Sequence, residues 1–200
     1  MNHFFDPNKG IEQHGSKLPH WQQGEAIQFV TFRLGDSLPD GKLKEWERDR
    51  RIWLSFHPEP WDAATEQNYH LRFSQRMEAW LDQGHGSCLL RKPDQRAILK
   101  QVLMRDHGAR ANRISWVIMP NHVHLLFNPL VPMADLIKSW KGVSARRIGC
   151  GPIWQRHYRD TLIRNPRHFA AVVRYIRKNP SELPSGTYTL WESQRALEIE

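Results

Sequence analysis

Cysteine is scarce: Cys88 and Cys150 are the only two in the 200-residue chain. Two isolated thiols make neither a disulfide framework nor a zinc knuckle, so a reducing cytoplasm is the expected compartment. Long apolar runs are missing too. Nothing approaches the ~20 residues that a membrane-spanning helix needs, and Met1 to Lys17 carries no signal-peptide h-region. These absences point away from a disulfide-stapled scaffold and from a membrane-spanning helix. Acidic residues are rare in one region only. Arg91 to Pro180 holds 18 Lys+Arg against 4 Asp+Glu, whereas residues 1–90 hold 10 against 13 and residues 181–200 hold 1 against 4. The overall charge of +8 therefore sits in the middle of the chain. Such asymmetry suits a polyanion partner, although a solvated basic face is the plainer explanation of charge alone. Nine tryptophans and eleven histidines are many for this length. Aromatics interleaved with arginines suit stacking on unpaired bases, and most of them also serve a core.

The richest stretch is Trp116-Val117-Ile118-Met119-Pro120-Asn121-His122-Val123-His124-Leu125-Leu126-Phe127. A strand has a side-chain period of two, so His122 and His124 point to one face while Val123 points into a core. Their Cα atoms would lie about 6.5–7 Å apart, close enough for both imidazoles to reach one metal ion.

The rest of the chain reads as one domain with an addition. Residues 1–17 read as a loose arm, 18–191 as the domain, 40–83 as a helical addition to it, and 192–200 as a tail. Glu25 to Leu34 alternates as a strand. Helices are expected over Lys42–Phe56, Ala63–Gln83, Pro93–His107 and Met133–Ile148. Arg113–Met119 and Val123–Asn128 should pair as antiparallel strands through Pro120-Asn121, and Ile153–Ile163 should be extended. Asn165-Pro166 opens a last helix, with Asn as cap and Pro at the first position, and Asn179-Pro180 ends it. Strands separated by helices predict an α+β fold: an antiparallel sheet with helices mainly on one face and the other open for substrate.

In the last helix, Phe169, Val172, Val173 and Ile176 form the buried stripe. Tyr175 lies on its flank, and Asn179 follows one turn later on the same flank. Arg174, Arg177 and Lys178 surround the pair. With Arg164, Arg156 and Lys141 they are the candidate DNA contacts. A phenol has a free pKa near ~10, but nearby cations and a metal favour the phenolate, which makes Tyr175 a candidate nucleophile toward a phosphodiester. The Asn179 carbonyl offers a third ligand beside the two imidazoles. That open set suits Mg²⁺ or, with two nitrogens, Mn²⁺.

Several segments together carry a resemblance. Met119-Pro120-Asn121-His122-Val123-His124-Leu125-Leu126 resembles the histidine–hydrophobic–histidine signature of HUH single-strand nucleases. Leu18-Pro19-His20-Trp21, Phe29 to Leu34, Asp82-Gln83-Gly84-His85-Gly86, Trp154 to Asp160, Ile163-Arg164 and Tyr175-Ile176-Arg177-Lys178-Asn179-Pro180 are similar, in that order, to REP-associated tyrosine transposases. The resemblance covers residues 16–191. It implies a ferredoxin-like or RRM-like fold of the HUH type, with metal on His122, His124 and Asn179 and Tyr175 as nucleophile. It implies endonuclease and strand-transfer chemistry on single-stranded DNA beside short hairpins, through a 5′-phosphotyrosine and a free 3′-hydroxyl, in DNA transposition and recombination. The compartment it implies is the cytoplasm, at the nucleoid, with no membrane partner; monomer and homodimer both fit. Two features depart from the family pattern. Arg159 precedes Asp160 where an acidic residue usually stands, and Ser181 to Gly186 replaces the usual tail. Tyr158 is the rival nucleophile. Rival functions are a catalytically silent hairpin-binding protein, a single-stranded RNA binder, and a histidine-triad hydrolase, which would need a third alternating histidine where Leu126 stands.

Overall fold

The structure is a computed structural model describing residues 3–14, 20–58 and 61–200. The chain divides into two compact units, Met1–Gly35 with Leu89–Glu200, and Asp36–Cys88.

The larger unit is built on a five-stranded antiparallel sheet in the order β6-β3-β5-β4-β7. The strands are β3 (Gln28–Arg33), β4 (Ala111–Ile118), β5 (His122–Pro129), β6 (Arg159–Leu162) and β7 (Thr189–Glu192). Two short strands, β1 (Glu12–His14) and β2 (His20–Gln22), pair separately. Val123, Leu125 and Phe127 of β5 face one core, shared with Val30, Phe32, Trp116 and the helices α4 (Pro93–Arg105) and α5 (Met133–Ile148). Trp140 of α5 is fully buried there and meets Phe127 edge-on at 5.2 Å. Deleting an aromatic side chain from a packed core costs about 3–5 kcal/mol. Trp140→Ala is therefore expected to lower stability by that amount in urea unfolding, and a loss under 1 kcal/mol would contradict this packing.

The opposite face of β5 carries His122, His124 and Leu126. Leu126 packs with Ile27, Val117 and the stripe Phe169, Val172, Val173, Ile176 of α6 (Pro166–Lys178). The α+β antiparallel sheet is thus present, with α4 and α5 on one face. The other face, expected to be open, carries α6. Its strongly one-sided apolar stripe has to be buried, and that sheet face is where it goes. The Asn165 side chain caps α6, accepting from the His168 N–H at 2.9 Å. Asn165→Ala should cost about 1 kcal/mol, read as a small fall in melting temperature.

Three sequence expectations are corrected. The described residues 3–14 do not form a loose arm: the Phe5 N–H donates to the Ile163 carbonyl at 2.9 Å and the Ile27 N–H to the His3 carbonyl at 2.7 Å. Residues 192–200 are not a tail. Glu192 ends β7, which pairs along β4 from Ser115 to Ile118, and α7 (Gln194–Leu197) packs back through Ala196. Of Ile153–Ile163, only Arg159–Leu162 is a strand, while Trp154 makes a lone bridge to Leu34.

The smaller unit holds α1 (Asp40–Phe56) and a helical run made of α2 (Ala63–Tyr69), a π-helical turn (His70–Gln75) and α3 (Arg76–Asp82). Trp46, Trp53, Phe73, Met77 and Leu81 form its core. Among the described residues no helix is long and apolar enough to cross a membrane.

Candidate active site

The β3–β5 ladder sets the site. Thr31 pairs with His124 and Arg33 with His122, so these four side chains share one face. Both imidazoles are buried, at 1% and 0% exposure, and their Nε2 atoms lie 3.0 Å apart. The outer nitrogen of each ring has a partner. His122 Nδ1 donates to Asn121 Oδ1 at 2.7 Å, which leaves the lone pair on Nε2. His124 Nδ1 lies 2.8 Å from the Thr31 hydroxyl. Burial pushes the His122 pKa down to about 3. His124 is also held well below its usual range, first by burial and then by its neighbours His122 and Arg159. Both rings are thus neutral, the state in which imidazole binds a metal.

Helix α6 brings the phenol to this pair. Tyr175 Oη lies 3.2 Å from His124 Nε2, and Asn179 Nδ2 donates to that same oxygen at 3.2 Å. Phe29 of β3 wedges the site: it stacks on His124 at 5.6 Å and meets Tyr175 edge-on at 5.9 Å. The other amide atom of Asn179, Oδ1, is buried with no hydrogen-bond partner. A buried carbonyl oxygen without a donor is costly.

These donors fit a divalent cation. Two ligand atoms at right angles on ~2.1 Å bonds lie about 3.0 Å apart, which matches the Nε2 pair. Asn179, whose Nδ2 reaches the phenol that touches His124, offers a hard oxygen in its orphaned Oδ1. Among the described residues no three of His, Cys, Asp and Glu come together as a metal-binding group, so this mixed set is the candidate.

No protein-family model matches the chain. No curated protein matches it. Among solved structures it is similar to that of a REP-associated tyrosine transposase bound to a REP hairpin, with a TM-score of 0.47 at 16% identity, over 84% of this chain and 74% of that one.

Tyr158 stands elsewhere. It packs with the α4–α5 core, across the sheet from the imidazoles, and stacks on His20 at 3.8 Å. Burial, reinforced by Asp160, raises its pKa and keeps it protonated. The basic residues also separate. Arg174 and Lys178 are exposed on α6, and Arg164 is exposed just before it. Arg177, a candidate DNA contact, is already engaged within the protein. Its guanidinium donates to Glu192 at 2.9–3.2 Å and to the carbonyls of Ile199 and Ala196 at 2.7 and 2.9 Å, tying α6 to the C-terminal segment. Lys141 lies on the α5 side, donating to the carbonyls of Gln155 and Arg156, the latter at 2.9 Å. Arg156 is exposed beside it.

Thr31, Asn121 and Phe29 are positioning residues that sequence reasoning did not single out. The signal for Thr31 lay in period two along Phe29-Val30-Thr31-Phe32-Arg33, once the register with β5 is known.

Proposed function

We propose that the chain cleaves and rejoins single-stranded DNA through a covalent tyrosine intermediate. The observation that carries this reading is the meeting of Tyr175 Oη with His124 Nε2, itself 3.0 Å from His122 Nε2, and with the Asn179 amide, whose Oδ1 is buried and unpaired. His122, His124 and Asn179 would hold a divalent cation, Mg²⁺ or Mn²⁺, with two nitrogens favouring Mn²⁺. Such an ion, when bound, neutralises phosphate charge and favours ionisation of nearby oxygens.

The chain's own residues do the rest. The Tyr175 oxygen attacks a backbone phosphorus, the P–O3′ bond breaks, the DNA 5′-phosphate becomes esterified to the phenol, and the phenolic proton ends on the released 3′-oxygen. A phosphotyrosine diester retains the energy of the broken bond, so a 3′-hydroxyl can reverse the step without ATP. Asn179 Nδ2 orients the phenol oxygen, and Phe29 holds the ring edge against His124. Arg174 and Lys178, exposed on α6, and Arg164, exposed just before it, would take the flanking phosphates. The motif resemblance supplies the substrate class, a short hairpin with a single-stranded flank, and a place at the nucleoid.

The test is a denaturing gel of a labelled hairpin oligonucleotide with single-stranded flanks, with and without Mn²⁺. A shortened strand and a protein-linked strand are expected with Mn²⁺ and absent with a chelator. Binding without cleavage at any cation concentration would leave the silent hairpin-binding function instead. Binding should also weaken steeply with salt, about tenfold or more between 50 and 200 mM, because several phosphates are neutralised. A flat salt response would contradict a phosphate-dominated interface.

A further inference from the structure

Across the sheet from the imidazoles, α5 and residues 152–158 enclose a cleft of about 350 Å³. Gly142 and Ala145 leave its floor bare, while Trp154 and Tyr158 supply aromatic walls. Lys138, Lys141 and Arg156 form its rim, and no lining residue is acidic.

The walls are fixed. Trp154 Nε1 donates to Ser144 Oγ at 2.9 Å, and the indole meets Phe32 edge-on at 4.9 Å. Tyr158 has one ring face on His20, and its Oη is buried with no hydrogen-bond partner.

The volume is at the small end for a ligand site. Two aromatic side chains beside a basic rim with no carboxylate describe an occupant that is planar and anionic. We propose that this cleft takes one unpaired nucleotide, with its base against Trp154 and Tyr158 and its phosphate against Lys138 and Arg156. The proposal rests on the single-strand DNA reading for its choice of polymer.

Gly142→Leu tests the cleft. A Cβ at residue 142 meets nothing within 4 Å, and replacing a helical glycine does not weaken α5. Arg156→Gln removes one rim charge. Both are made in Tyr175→Phe protein without metal, so cleavage plays no part, and binding of a fluorescein-labelled oligothymidylate ten-mer is followed by anisotropy. Gly142→Leu should weaken binding about tenfold and Arg156→Gln about threefold, with melting temperatures unchanged. A 5-iodouracil ten-mer should photocrosslink to the peptide containing Trp154 and Tyr158. Unchanged affinity in both variants, or crosslinks confined to α6, would overturn the cleft while leaving the tyrosine chemistry intact. Failure of the parent protein to bind the ten-mer would overturn the cleft, whereas the reading of Tyr175 is decided separately by the Mn²⁺ cleavage gel.

Discussion

Tyr175→Phe is expected to abolish the covalent protein–DNA product and to lower strand cleavage by about 10⁴-fold or more, since no nucleophile remains at the cation. The fold should tolerate the change. The lost hydroxyl contacts His124 Nε2 and Asn179 Nδ2, each at 3.2 Å, in a half-buried place, so about 0.5–1.5 kcal/mol of stability is at stake. Hairpin binding should persist, because the exposed Arg164, Arg174 and Lys178 are untouched. A denaturing gel of the variant with labelled DNA reads all of this together with a binding curve. A surviving adduct at wild-type yield would remove Tyr175 from the chemistry. Tyr158 would be a poor replacement, since it lies across the sheet and its pKa is raised.

Loss of the cation ligands should have a comparable effect by a different route. His124→Ala removes a fully buried ring that touches Thr31, His122 and Tyr175, so cleavage should fall by about 10³-fold or more. The fold loses about 2–4 kcal/mol as well, from the cavity and the unpaired Thr31 hydroxyl. Asn179→Ala separates these two consequences. Asn179 Oδ1 has no partner in the protein, so deleting it relieves an unmet acceptor and forfeits only the weak bond to the phenol. The expected result is near-wild-type melting with Mn²⁺ affinity reduced about 10–100-fold, read by calorimetric titration. A clear loss of stability with unchanged Mn²⁺ affinity would make Asn179 a structural helix stop and nothing more.

Much of this arrangement was legible in the sequence because two periodicities meet in it. Period two put His122 and His124 on one strand face, and period 3.6 put Tyr175 and Asn179 on one flank of an amphipathic helix. The α+β sheet followed from the order of strands and helices. What sequence could not give was pairing across the chain. Nothing local says that β3 lies beside β5 with Thr31 opposite His124, because register is set by the completed sheet. The last strand escaped notice for a related reason. Thr189-Leu190-Trp191-Glu192 is four residues long, too short for a periodic signal, and is a strand only because β4 offers an edge. Arg177 shows the limit of charge counting. It reads as one more cation on a basic helix, yet Glu192 and the C-terminal carbonyls engage it. Its loss should destabilise the attachment of that segment by about 1–3 kcal/mol without weakening DNA binding.

The most direct measurement is mass spectrometry of the wild-type protein after reaction with a hairpin oligonucleotide and Mn²⁺, followed by proteolysis. The predicted result is one modified peptide from α6, bearing a 5′-phosphoryl oligonucleotide on the oxygen of Tyr175. A modification mapped to any other residue, or none despite bound DNA and cation, would contradict the assignment of that phenol as the group that takes the broken strand.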